Sequence, residues 1–180
     1  KEMVIDDYSW FVIQDENARQ AFRNAVKQGH HIGIISEAGC PGIADPGQEL
    51  IAIAQEMGMY VHPIVGPNSI ILALMASGLN GQQFKFNGYL PINEQERGKV
   101  LKQLEGDIQR SGTTHIFIET PYRNNQLIQT ITKTLDARLR LCVAVDITAS
   151  GESIRTMPIS QWRKEEVNIH KRTAIFLIGI

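Results

Sequence analysis

A chain of 180 residues with 43% apolar content can bury a core of its own, as one large domain or as two compact lobes. Its 18 basic and 19 acidic residues leave a formal net charge of −1, which excludes a global field for nucleic acid or membrane and leaves only local patches for any polyanion. Two cysteines, Cys40 and Cys142, sit in unlike contexts, so no disulfide framework is expected and each reads as a small buried apolar residue in a reducing compartment. With no apolar run near the ~18 residues that span a bilayer and no signal-peptide pattern, the expected location is cytoplasmic.

The chain opens at Lys1, and Val4, Ile5, Asp6 and Asp7 read as the interior of something larger, so the first residues of the natural domain are expected to be absent. Ser9 to Ile13 is a short apolar run. Asp15 then caps a predicted helix whose Ala18, Ala21, Phe22, Ala25 and Val26 recur at helical spacing, and Gly29 closes it. His31 to Ile35 reads as a buried strand, followed by a Gly/Pro-rich turn from Ser36 to Pro46. Asp45 before Pro46, with Gln48 at the capping-box position, predicts a second helix from about Pro46 to Met57.

Met59 to Val65 reads as the next strand, Gly66-Pro67-Asn68-Ser69 as a second special turn, and Asn68 to Ser77 as a short apolar helix. This βαβα order predicts a mainly parallel sheet in an N-terminal lobe, residues 1–83. The polar, glycine-rich stretch from Gly78 to Gln83 is the expected hinge. In the C-terminal lobe, residues 84–180, strands are predicted at Phe84 to Leu90, Thr114 to Glu119, Leu139 to Asp146, Glu152 to Met157 and Arg172 to Ile180. Helices there are predicted up to about Arg110 and from Pro121 to Thr134. The extra strands make that sheet mixed, and the fold class is α/β.

Small residues directly after a strand, as in Ser36-Glu37-Ala38-Gly39-Cys40-Pro41, let a ligand lie against the main chain and accept its N–H bonds. Gly66-Pro67-Asn68-Ser69 repeats that arrangement one βα unit later. Glu119-Thr120-Pro121-Tyr122-Arg123 puts groups of both signs at a strand end, which reads equally well as a helix cap with a surface ion pair. The five histidines show no metal-ligand spacing, and neither a P-loop, a G-x-S-x-G elbow nor GxGxxG is present. Arg97, Lys99, Lys102, Arg110, Arg123, Arg138 and Arg140 read as scattered surface charge or as a local RNA-contact face.

Taken together, SEAGCPGIADPG at 36–47, VGPNS at 65–69, GYLP at 88–91 and IETPYR at 118–123 closely resemble the tetrapyrrole-methylase superfamily of S-adenosylmethionine-dependent methyltransferases. Within it the chain resembles the ribosomal RNA small subunit methyltransferase I branch, whose usual forms are SDAGTPxxSDPG, PGP, GFLP and ESPHR. The resemblance implies a two-lobed class III methyltransferase fold, a homodimer without metal, and S-adenosylmethionine folded into the cleft between lobes. By position it implies cofactor contacts at Ala38, Gly39, Cys40, Ile43, Asn68, Ser69, Glu119, Thr148 and Ala174. The family's first strand and Pro/Gly-rich loop have no counterpart before Lys1, and Glu37, Cys40 and Tyr122 replace the usual Asp, Thr and His.

The activity implied is methyl transfer to a cytidine ribose 2′-hydroxyl of small-subunit ribosomal RNA, with the RNA or the small ribosomal subunit as partner. A base must take the hydroxyl proton, and Asp45 and Glu119 are candidates by location alone, so the catalytic residue is left open. Arg123 is a candidate to steer a phosphate or the cofactor carboxylate. The alternatives are C-methylation of a tetrapyrrole and a non-catalytic S-adenosylmethionine- or RNA-binding protein.

Overall fold

The computed structural model describes residues 8–180, so the interior-like Val4, Ile5, Asp6 and Asp7 lie outside the described residues. The chain forms two compact units that divide between Pro67 and Asn68.

In the first unit, α1 (Ala18–Lys27) buries Ala18, Phe22 and Val26, one residue per turn on a single stripe. That stripe meets Ile53 and Ala54 of α2 (Gln48–Glu56), with Leu50, Met57 and Val61 packed around them. Two ion pairs, Arg19 to Glu49 and Arg23 to Glu56 at 3.2 Å, flank the contact on its exposed side. Exposed pairs of this kind contribute about 1 kcal/mol at most, so the small apolar cluster holds the two helices together.

The mainly parallel N-terminal sheet expected from the sequence is not found among the described residues. Residues 31–35 and 59–65 run without helix or ladder, and Ile64 and Val65 are 85% and 100% exposed. Apolar periodicity reports which side chains favour burial; a strand additionally requires a neighbour to receive its backbone hydrogen bonds, and neither segment has one among the described residues.

The second unit is built on a five-stranded sheet in the order β1-β2-β5-β3-β4: β1 (Phe84–Tyr89), β2 (Thr114–Ile118), β3 (Arg140–Val145), β4 (Ser153–Pro158) and β5 (Ala174–Gly179). β1 and β2 are parallel, and the other three pairings are antiparallel. Side chains alternate across the sheet as the pleat demands. Ile116, Cys142, Ala144, Ile175 and Leu177 face α3 (Ser69–Ser77). Phe117, Leu141, Val143, Val145, Phe176 and Ile178 face the larger core built with α4 (Glu94–Ser111), α5 (Asn124–Thr134) and the one-turn α6 (Ile159–Trp162). Phe117 and Phe176 stack at 6.0 Å in its middle.

Because α3 packs on β3, β4 and β5, it belongs to the second unit. The glycine-rich stretch expected to be a hinge is therefore internal to that unit. Gly78 ends α3 in the left-handed conformation at φ 68°, and the Asn80 amide donates to the Gly112 carbonyl at 3.0 Å, which ties the stretch to the end of α4.

Candidate functional site

In the first unit the turn at 36–47 is organised by Asp45. Its Oδ1 accepts the N–H groups of Gly42 at 3.0 Å and Gly47 at 2.8 Å, while the Ser36 hydroxyl lies 2.8 Å from Oδ2. The same hydroxyl lies 3.0 Å from the Ala38 carbonyl and can donate to one acceptor at a time. The Gly42 N–H first, then the Ser36 hydroxyl, hold the Asp45 carboxyl below its ordinary value. A carboxylate so occupied is a poor proton acceptor, and its bonds build the turn.

Those bonds impose a tight path. Gly39 and Gly42 sit at φ 72° and 80°, and Ala44 adopts φ 54°, a conformation that side-chain-bearing residues rarely take. A Cβ on Gly47 would lie 2.6 Å from Asp45 Oδ1, so glycine is required there for the carboxylate to approach. The N–H groups of Ala38, Gly39 and Cys40 donate to no protein acceptor among the described residues, and space beside Gly39 is open. The Cys40 thiol, half-buried, lies 3.6 Å from the Gly66 carbonyl and 3.5 Å from that of Pro67. Ile43 is half exposed, its N–H closing a turn on the Cys40 carbonyl at 3.2 Å.

In the second unit, strand direction gathers the remaining candidates. β1, β2 and β3 run one way and β5 the other, so the carboxyl ends of the first three share an edge with the start of β5. Ala174 pairs with Val145, and Ile118 with Ile175, which sets Glu119, Ala174 and the turn after β3 along one edge. In α/β sheets such an edge is where ligands bind. Asn68 caps α3 there in the ordinary way, its Oδ1 accepting from Ile70 at 3.0 Å and Ile71 at 3.2 Å, with Ser69 exposed at the first helical position.

Glu119 is buried at its carboxylate. Oε1 accepts the Thr120 N–H at 2.6 Å and the Arg123 Nε and Nη2 at 3.0 and 2.7 Å, whereas Oε2 is buried with no partner among the described residues. The hydrogen bond to Glu119 raises the affinity of the Arg123 guanidinium for its proton, with the nearby Tyr89 adding in the same direction. Both guanidinium contacts fall on one oxygen, so the other has no donor among the described residues.

After β3, Asp146 and Thr148 take left-handed φ of 46° and 69°. Asp146 accepts from Arg172 Nε at 2.8 Å and the Thr173 hydroxyl at 2.9 Å, and the Thr148 N–H donates to Glu152 Oε2 at 2.7 Å. Between this turn and Leu72, Met75 and Ala76 of α3 lies an open groove of about 350 Å³. That volume is at the small end of the range for organic ligands. Ala174 is buried and pairs with Val145 at the start of β5.

Three features were not legible in the sequence. Arg97, read as surface charge, is fully buried: Nη1 donates to the Ile92 carbonyl at 3.1 Å and Nη2 to Thr130 Oγ1 at 2.9 Å, pinning the loop after GYLP to α5. Most of the other basic residues are already paired, Lys102 with Glu105 at 2.6 Å, Arg110 with Asp107 at 3.4 Å and Arg138 with Asp136 at 3.0 Å. Asp146 with Arg172, and Tyr122 with His170, depend on contacts across 26 and 48 residues. Among the described residues no cluster of three or more His, Cys, Asp or Glu could hold a metal ion, and no helix is long and apolar enough to cross a membrane.

Compared with known proteins, residues 6–162 match the family model for Tetrapyrrole (Corrin/Porphyrin) Methylases. The chain is 32% identical over 93% of its length to Ribosomal RNA small subunit methyltransferase I of Vibrio cholerae, covering 59% of that protein. It is 33% identical over 94% of its length to that of Pasteurella multocida, covering 61%. The chain thus spans about three-fifths of the curated relatives it matches. Among solved structures, the methyltransferase CobJ matches with a TM-score of 0.57 at 16% identity, covering 91% of this chain and 70% of that one. The cobalt precorrin-4 methyltransferase CbiF matches at 0.53 and 14%, covering 89% and 69%. At these identities the likeness establishes a shared fold, the two-lobed class III methyltransferase fold.

Proposed function

We propose, from the premise that this chain belongs to the tetrapyrrole (corrin/porphyrin) methylase family, that it transfers a methyl group from S-adenosylmethionine to small-subunit ribosomal RNA, at the ribose 2′-hydroxyl of a cytidine. The observation that carries the proposal is the orphaned Glu119 Oε2, buried at the sheet edge that also gathers Thr148 and Ala174. A buried carboxylate oxygen without a donor is costly, and a ligand hydroxyl or amine would satisfy it. The small residues and unoccupied N–H groups of Ala38, Gly39 and Cys40 suit a polar cofactor group in the same way.

In this reading Ala38, Gly39, Cys40, Ile43, Asn68, Ser69, Glu119, Thr148 and Ala174 hold the cofactor. When bound, it supplies a methyl group activated on a positively charged sulfur. The protein's work is alignment of the acceptor oxygen, which alone supplies several kcal/mol. Arg123, partly exposed and held by Glu119 through Nε and Nη2, offers its remaining guanidinium N–H groups to an RNA phosphate. Roughly 30% identity to proteins named as ribosomal RNA methyltransferases, against 14% to the cobalt precorrin-4 methyltransferase, favours RNA over a tetrapyrrole. The same reading makes the protein a cytoplasmic homodimer.

The test is tritiated methyl transfer to naked ribosomal RNA and to small subunits, with the modified position mapped by mass spectrometry. Label in a cytidine ribose is the expected result. Label in a porphyrinoid and none in RNA would replace this function with the tetrapyrrole one.

A further inference from the structure

We propose that Tyr89, Tyr122, His170 and Lys171 form a stacking ridge for an unpaired RNA nucleotide, an inference that rests on the reading of RNA as substrate. Tyr89 is the last residue of β1, the strand at the rim of the sheet, in register with Ile118 of β2. Tyr122 follows four residues after Ile118, in the turn leading to α5. The two rings are 60% and 69% exposed, and the other strongly exposed aromatic of this unit, Phe84, lies at the far end of β1.

The ridge is held by the fold. Tyr122 meets His170 edge-on at 5.7 Å, and the Lys171 N–H donates to the Pro121 carbonyl at 3.0 Å. The loop carrying His170 and Lys171 is fastened to α5 on both sides. Asn124 Nδ2 donates to the Arg172 carbonyl at 2.7 Å, and the Ile169 N–H donates to Asn125 Oδ1 at 2.9 Å. Rings fixed before a ligand arrives lose little freedom on binding it.

Its composition selects the ligand. Arg123 lies within electrostatic reach of Tyr89, His170 meets Tyr122, and Lys171 is tied through its N–H to Pro121 next to Tyr122, so the rings have polar and basic neighbours. Exposed aromatic faces interleaved with cations are what single-stranded RNA requires, a π face for the base and positive charge for the phosphate. The ridge also adjoins Glu119, so a base stacked on it brings its ribose to the edge where the candidate residues gather.

The experiment is fluorescence anisotropy of a short, unstructured, labelled RNA oligonucleotide with wild type, Tyr89→Ala, Tyr122→Ala, Tyr122→Phe and Lys171→Gln, each verified as folded by circular dichroism. Each alanine variant should weaken binding about tenfold, the scale of one lost base stack, while Tyr122→Phe stays within about twofold. Lys171→Gln should reduce the slope of log affinity against log salt by about 1. Wild-type affinity in both alanine variants, or no measurable binding by wild type, would overturn the ridge. A parallel methyl-transfer assay separates the two ideas. Loss of RNA affinity in the variants, with no transfer by wild type, upholds the ridge and removes the methyltransferase reading. Transfer by wild type, with unaltered Tyr122→Ala, does the reverse.

Discussion

Replacing Glu119 by Gln keeps the shape of the side chain and removes its charge, which isolates the electrostatic part of the Glu119–Arg123 clamp. Oε1 accepts three N–H groups, two of them from the guanidinium. A charge-assisted hydrogen bond exceeds a neutral one by about 1 kcal/mol, so the gross loss is about 3 kcal/mol. Arg123 is 30% exposed and recovers part of its share from water, which reduces the expectation to about 2 kcal/mol. Arg123→Gln should cost more, about 3 kcal/mol, because it strands a buried carboxylate with only the Thr120 N–H. Urea unfolding followed through buried Trp162, in a Trp10→Phe background, reads the second unit selectively. With an m-value of 1–3 kcal/mol/M, the Glu119→Gln midpoint should fall by roughly 1 M. A shift equivalent to less than about 0.5 kcal/mol, or a smaller penalty for Arg123→Gln than for Glu119→Gln, would refute the reasoning.

Asn68→Ala removes the acceptor of two α3 N–H groups and should cost about 1 kcal/mol in the same urea assay, with Asn68→Asp restoring most of it. The Asp45 carboxyl is held below its ordinary value of 3.8 in the folded chain, so its contribution is full above that pH and is lost as pH falls below it. Acid unfolding of the first unit should therefore be shallower in Asp45→Asn, and an unchanged pH profile would contradict the bonding described. Burial pushes His115 below its ordinary 6.5, more strongly than Asp107 raises it, so the unfolded state takes up its proton first. Stability of the second unit should be full above about pH 6.5 and fall as pH drops from there; His115→Gln should flatten that slope in urea titrations at several pH values.

Where burial follows periodicity, the sequence read well: α1 and α3, the long α4 and the alternating strands of the second unit stand close to their expected places. The apolar runs at 31–35 and 59–65 carry the same signal, yet form no strand, because pairing depends on a neighbour that composition does not reveal. Arg97 failed for a related reason. A charge in a sequence is taken as solvated, whereas this one is stabilised by the Pro91, Ile92 and Thr130 oxygens, each distant from it in chain or hidden in loop geometry. α6 spans a single turn, too short for a periodic pattern to register. At the site, small residues announced both turns, but the side-chain commitments that decide roles, Asp45 to its own turn and Glu119 to Arg123, come from three dimensions.

The position of β5 also governs how the second unit comes into being. It is the last of the five strands in chain order, yet it lies in the centre, between β2 and β3. Until it inserts, β1 with β2 and β3 with β4 are two separate ribbons, each too small to persist alone in water. Sheet completion therefore waits on contacts of high sequence separation, such as His115 with Ile178, which makes assembly slow and strongly cooperative. On the ribosome, the edges of both ribbons remain open to wrong partners until β5 has emerged, so this strand acts as the keystone that commits the unit to its fold.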